Sequence, residues 1–191
     1  YRKAADQKNA DAQYNLGNMY ERGVGVPEND AEAVKWFRKA ADQGLAHAQF
    51  NLGIMYERGV GVAENDAEAV NWYRKAADQG LGEAQANLGA LYHKGDGVPQ
   101  NDAEAVKWYR KAADQGVEMA QFNLGNMYLT GRGVPQDSIS GYVWWSMAKT
   151  QGDTYAELKL DKLQAYLTKQ QIAKAKTLAT KCYESDYQDC D

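Results

Sequence analysis

The chain has 191 residues, with 22 basic and 26 acidic side chains, a formal net charge of −4 and 44% hydrophobic residues. No Lys/Arg run or basic stripe stands out, so neither nucleic acid nor an anionic membrane surface is expected as a partner. No apolar run approaches the ~20 residues of a membrane span.

In chain order, the opening YRKAADQ matches Tyr73–Gln79 and Tyr109–Gln115. The chain is therefore expected to start inside a repeat unit, as a fragment or processed product whose upstream repeats and any targeting segment are missing. The stretch LGNMYERGVG then begins at Leu16 and returns as LGIMYERGVG at Leu52, LGALYHKGDG at Leu88 and LGNMYLTGRG at Leu124, a step of 36 residues each time. Ala31–Asp66 laid over Ala67–Asp102 gives 24 identities in 36 positions. A fixed period of this length marks a repeat architecture, so length counts repeats rather than globular cores.

Each unit reads as two helices. One spans about Ala31 to Asp42, with a capping box from Asn29 and Glu32 and a stop at Gly44. Its Ala33, Val34, Phe37, Ala40 and Ala41 follow helical spacing. The other spans about Ala46 to Arg58 and stops at Gly59, with Ala48, Leu52, Met55 and Tyr56 on the buried side. At about three to four turns such helices are too short to persist alone, and stacking on neighbours must hold them. Gly17, Gly53, Gly89 and Gly125 lie inside helices, where glycine costs ~1 kcal/mol against alanine. A shared register implies a shared cause, the close approach of a neighbouring helix that a Cβ would block.

The pattern L-G-x-x-Y followed by A-x3-Y (Leu52, Gly53, Tyr56, Ala69, Tyr73) resembles the tetratricopeptide signature. The period of 36, the G-x-G-V turn and W-[FY]-R-K-A-A-D-Q-G at Trp36, Trp72 and Trp108 resemble more narrowly the Sel-one-like repeat family. The resemblance implies an all-α fold, a right-handed α-α superhelix used for protein–protein interaction and assembly. Repeats are expected over residues 1–152. Residues 153–191, where Asp161 replaces the glycine and Gln164 the tyrosine of the motif, are expected to form degenerate capping helices and a cysteine-containing tail. Thr168 with Gln171 gives a second capping-box signal there.

The cysteines, Cys182 and Cys190, read either as two free thiols or as a disulfide. A continuous helix would part their Cα atoms by ~12 Å, beyond disulfide reach, so a bridge requires the helix to end near Tyr183 and the polar tail to curl back. The bridge is the expectation, and it would indicate an oxidising compartment, periplasmic or secreted in a bacterium.

No catalytic constellation, metal site or cofactor is expected. His47 and His93 have no cysteine or carboxylate at metal spacing, and each G-x-G follows a helix rather than leading from strand to helix. The even row Trp36, Trp72, Trp108 and Trp144 is expected to pack units together rather than read a ligand.

Partner recognition is expected where repeats differ. His47/Glu83, Phe50/Ala86, Ile54/Ala90, Glu57/His93 and Arg58/Lys94 change between the two most similar units and fall on one helix face. By the resemblance, that helix lines the concave surface. The first unit contributes Asp11, Tyr14, Asn18, Glu21 and Arg22, and the last Met119, Phe122, Asn126, Leu129 and Thr130. Ala86 and Ala90 are expected to open a notch between Phe50 and Phe122 for an apolar anchor of a partner protein or peptide. Invariant Asn15, Asn51, Asn87 and Asn123 share this face; they read either as a row holding a partner backbone or, the favoured expectation, as structural hydrogen bonds to the adjacent turn. Two other function classes remain. One is an assembly element that self-associates through its open N-terminal end. The other is an enzyme or small-molecule receptor in the notch, with His93 as the candidate base.

Overall fold

In the computed structural model, which describes Ala5 and residues 9–190, all regular structure is helical. The helices are α1 (Ala10–Arg22), α2 (Asp30–Asp42), α3 (Ala46–Arg58), α4 (Asp66–Asp78), α5 (Gly82–Lys94), α6 (Asp102–Ala113), α7 (Glu118–Thr130), α8 (Ser138–Thr150), α9 (Thr154–Gln164) and α10 (Lys169–Glu184). The expected all-α architecture of repeated helix–turn–helix units is therefore present. Two compact units divide the chain at Gln100/Asn101, the first carrying α1–α5 and the second α6–α10. The N-terminal end expected to self-associate falls on residues 1–8, which apart from Ala5 lie outside the described residues.

Helix boundaries follow the caps read from the sequence, with one correction. Asn29, Asn65 and Asn101 each accept from the backbone N–H three residues on, at 3.0–3.1 Å. The reciprocal half of the expected box is missing, because the Asn29 N–H already donates to the Tyr20 carbonyl at 2.8 Å and Glu32 turns to Lys35. The full box forms at Thr168 and Gln171. At the end of α2, Gly44 adopts φ +90° while its N–H donates to Ala41 and that of Leu45 to Ala40, the paired bonds of a Schellman stop.

Within each unit consecutive helices pack against each other, except that α9 and α10 each pack on α8. The glycines inside helices seat aromatic rings of the next helix. A Cβ at Gly17 would stand 2.6 Å from the Phe37 ring, at Gly53 2.7 Å from Tyr73 and at Gly125 2.5 Å from Trp145. The close approach expected from the sequence is thus made by a ring at each of these three sites, joined at Gly125 by the Gly141 carbonyl oxygen, 3.1 Å from the Cβ position. Trp36, Trp72 and Trp144 are buried and Trp108 half-buried, and Lys39, Lys75 and Lys111 lie over the rings of Trp36, Trp72 and Trp108. Arg38, Arg74 and Arg110 donate to the hydroxyls of Tyr56, Tyr92 and Tyr128, which gives the repeated arginine and tyrosine of the motif a common task.

A glutamine relay, which the sequence reading missed, links neighbouring repeats. Gln49 is buried and its Nε2 donates to the Ala41 carbonyl at 3.1 Å, while its Oε1 accepts from Gln79 at 2.7 Å. Gln121 repeats the arrangement with the Ala113 carbonyl at 3.3 Å and Gln151 at 2.7 Å. Both ends of a buried amide are satisfied at once, and removing it strands a carbonyl and a second amide. Gln121→Leu keeps the volume and is expected to cost about 1 kcal/mol, read as a lower urea midpoint at unchanged m-value. An unaltered midpoint would refute a stabilising role for the relay.

In the second unit α9 and α10 each pack on α8, around a cluster of Tyr142, Trp145, Ala148, Ala156, Leu160 and Ala175. Cys182 and Cys190 form a disulfide, with Cα atoms 4.3 Å apart. The chain reverses after Glu184 through Asp186 and Tyr187, both at positive φ, close to the helix end that a bridge required.

Candidate functional site

The variable stripe resides on α1, α3, α5 and α7, one helix of each repeat. In the first unit a cavity of ≈220 Å³ is lined by Tyr14 of α1, His47, Phe50 and Asn51 of α3, Leu81, and Glu83 of α5. Five side chains expected to read a partner, drawn from three successive repeats, therefore meet in one hollow. Tyr14 lies 6.3 Å from the His47 ring and 5.7 Å from Phe37, and Phe50 lies 5.7 Å from Tyr73, centroid to centroid. The aromatic walls rest on the same rings that fill the helix glycines, so packing fixes their position. His47 and Glu83 are exposed at the rim, while Asn51 is half-buried and donates to Asn18 at a long 3.5 Å.

Leu81 was missed. It is the N-cap residue of α5 in extended conformation, equivalent by period to Leu45 and Val117. The constancy of an apolar residue at that register was the signal available.

Other stripe residues are committed elsewhere. Glu57 accepts from the Tyr73 hydroxyl at 2.6 Å. Burial first, and then the Glu57 carboxylate, push this hydroxyl well above the ordinary tyrosine range. Asn87 is half-buried on α5. Arg22, Arg58 and Lys94 occupy last helical turns, where positive charge complements the helix dipole, and His93 stands in the last turn of α5 beside Lys94. Partial burial and then Asp30 hold Glu21 above the usual carboxylate range.

The notch needs correction. Ala86 is fully buried and Ala90 half-buried, so the small pair does not open a hollow at Ala86. A short side chain left the backbone covered rather than exposed, and a bulky residue there would be a core substitution. Ile54 is half-buried on α3. Phe50 and Phe122 belong to different compact units. Phe122 stacks on Trp145 at 5.9 Å and meets Tyr155 at 5.4 Å, and its carbonyl accepts from Trp145 Nε1 at 3.2 Å. The Asn126 carbonyl accepts from the Thr130 hydroxyl at 2.7 Å. Among the described residues no group of three or more His, Cys, Asp or Glu is placed to hold a metal ion, and no helix is long and apolar enough to cross a membrane.

With this geometry in place, the Sel1 repeat family model matches residues 10–45, 46–81, 82–117 and 118–153. The chain belongs to the Sel1 repeat family. The family's units pair α1 with α2, α3 with α4, α5 with α6 and α7 with α8, so each variable helix is the first of its Sel1 repeat. A Sel1 repeat protein from Oxalobacter formigenes is similar at 44% identity over 81% of this chain and 63% of its own, with a TM-score of 0.76. c5321, a protective antigen of uropathogenic Escherichia coli with the same fold, is similar at 41% identity over 92% of this chain and 38% of its own, with a TM-score of 0.85. The chain therefore spans less than two thirds of the length of either. An immunity protein from Pseudomonas aeruginosa, at 23% identity and a TM-score of 0.54, shares the fold alone. No curated protein matches the chain. Sel1 repeat proteins are generally protein-interaction scaffolds and typically non-enzymatic.

Proposed function

We propose that this Sel1 chain is a non-enzymatic scaffold that binds a protein or peptide partner through the variable face of α1, α3 and α5. One observation carries the reading: four side chains that differ between repeats, Tyr14, His47, Phe50 and Glu83, line one cavity together with the constant Asn51 and with Leu81. Invariant Leu52, Gly53 and Tyr56 are buried in the stack, whereas the varied His47 and Glu83 are exposed and Phe50 is half-buried. A cavity of ≈220 Å³ exceeds the ~150 Å³ that admits benzene, so it accepts one large side chain of a partner. Tyr14 and Phe50 offer apolar walls, Asn51 an amide, and His47 and Glu83 a polar rim, the make-up of an anchor pocket. We assign α9 and α10 as the cap of the array, and the compartment as periplasmic or secreted, which the disulfide and the bacterial relatives support.

Crosslinking in native extract identifies the partner, and titration calorimetry with that purified partner tests the site. Phe50→Ala is expected to weaken binding about tenfold, and the rim change Glu83→Lys to do so without touching packed side chains. Equal affinities for both variants and wild type, with unaltered circular dichroism, would remove the cavity from the interface.

A further inference from the structure

The register of the variable face continues beyond the last Sel1 match. Thirty-six residues after Met119 and Phe122 of α7 come Tyr155 and Leu158 of α9, and the Phe122 and Tyr155 rings meet at 5.4 Å. In a helix assigned to close the array, these side chains should be small or polar. Instead Tyr155 is 53% and Leu158 51% exposed, with Met119 beside them in register at 44%.

Charge on α9 is sorted by face. Glu157 pairs with Lys149 of α8 at 2.8 Å, and Asp161 acts electrostatically on Lys149 and Tyr142, so both acids lie toward α8. Lys159 Nζ stands 5.1 Å from the Tyr155 ring centroid, and Lys162 is exposed at the register of Asn126. The outer stripe of α9 therefore presents Tyr155, Leu158, Lys159 and Lys162, an apolar strip flanked by cations and lacking a carboxylate. The variable stripe of the first unit differs, since Asp11, Glu21, Glu57 and Glu83 give it acids as well as bases.

We infer that the α7–α9 face binds an acidic, apolar segment of a partner protein, with Phe, Leu or Trp side chains against Met119, Tyr155 and Leu158 and carboxylates at Lys159 and Lys162. Apolar contact supplies the affinity, and the lysines select the sign of the partner's charge and quicken its approach. Two lysines are too few for an anionic bilayer, where basic clusters of about 4–8 are the rule. The inference rests on the reading that this helix register faces partners, and a variant of the α1–α3–α5 cavity separates the two.

Panning a random peptide display library on the full chain tests it. Recovered sequences are expected to combine Asp or Glu with aromatic and aliphatic residues. Fluorescein-labelled synthetic copies should bind about tenfold more weakly to Tyr155→Ala/Leu158→Ala and to Lys159→Glu/Lys162→Glu, while Glu83→Lys binds as wild type. Salt should weaken binding to wild type and lose that effect in the lysine variant. Tyr155, Leu158 and Lys162 are exposed and Lys159 is half-buried, so circular dichroism should be unchanged. The inference is overturned by no enrichment, by enriched peptides lacking carboxylates, or by equal affinity for the α9 variants. It is equally overturned if the face serves a second copy, seen as a concentration-dependent dimer lost in the Leu158 variant, or if the chain binds phosphatidylserine vesicles through it. Loss of peptide binding in Glu83→Lys alone would return recognition to the cavity.

Discussion

Gly125→Val is expected to destabilise the protein by about 3 kcal/mol, and Gly125→Ala by about 2, although both replace the poorest non-proline helix former. Helix propensity alone predicts the opposite sign, a gain of ~1 kcal/mol for alanine. The new Cβ would stand 2.5 Å from Trp145 Cδ1, 2.9 Å from its Nε1 and 3.1 Å from the Gly141 carbonyl oxygen. Trp145 cannot withdraw cheaply, because it is 6% exposed, stacked on Phe122 and hydrogen-bonded to the Phe122 carbonyl at 3.2 Å. Overpacking of this kind costs ~1–3 kcal/mol, and losing the indole hydrogen bond adds ~1. A double-mutant cycle with Trp145→Leu isolates the collision, and the alanine penalty should shrink when the ring is gone. A stabilised Gly125→Ala, or additivity with Trp145→Leu, would show that the glycine serves some other purpose.

The repeat was legible because its punctuation is chemical. Asn29, Asn65 and Asn101 cap as their type and place demand, and Gly44 takes the positive φ that ends α2. The interior glycines were legible as close contacts, but not that the contacting group is a ring. Sequence shows that space is needed without showing what fills it. The glutamine relay went unread because a constant polar residue in the first turns of a helix resembles a solvated one. Only the structure shows Gln49 and Gln121 buried, with amides satisfied at both ends.

The candidate site was legible in part. Comparing repeats located Tyr14, His47, Phe50 and Glu83, since side chains free of the stack are free to differ, and helical phase placed the invariant Asn51 on the same face. It failed at Ala86, where a small residue was equated with open space; burial depends on what lies opposite, which periodicity does not encode. It also failed to separate Glu57, engaged by the Tyr73 hydroxyl, from side chains free to bind. Tyr155 and Leu158 were passed over because the motif decays around them. Asp161 stands in the glycine slot and Gln164 in the tyrosine slot, yet the helix keeps its phase.

Removing the disulfide with Cys182→Ser/Cys190→Ser is expected to lower stability by about 2.5 kcal/mol, the loop-entropy value for a bridge across a separation of 8 residues. The loss should concentrate in the tail. Asp186 and Tyr187 hold positive φ, at ~1–3 kcal/mol each for such non-glycine conformations, and surrounding structure must impose it. What imposes it is the bridge together with three contacts: the Tyr187 ring against Gly116, Gln188 Nε2 on the Asp114 carbonyl at 3.2 Å, and the Asp189 N–H on the Ser185 hydroxyl at 2.8 Å. The first two contacts fasten the tail to the α6–α7 turn and the third closes the tail on itself, and without the bridge the strained residues should relax and release it. Hydrogen exchange should then quicken at Tyr187 and Asp189, whose amides are bonded in the oxidised form, while α7 and α8 keep their protection. Reductant should lower the urea midpoint of wild type toward that of the double variant and leave the variant unmoved. With Cys182 0% and Cys190 3% exposed, reduction should be slow until denaturant opens the tail. Identical midpoints for oxidised, reduced and serine forms would mean that the bridge records an oxidising compartment without being needed for the fold. A midpoint that falls with reduction would make oxidation a condition of a closed C-terminal end.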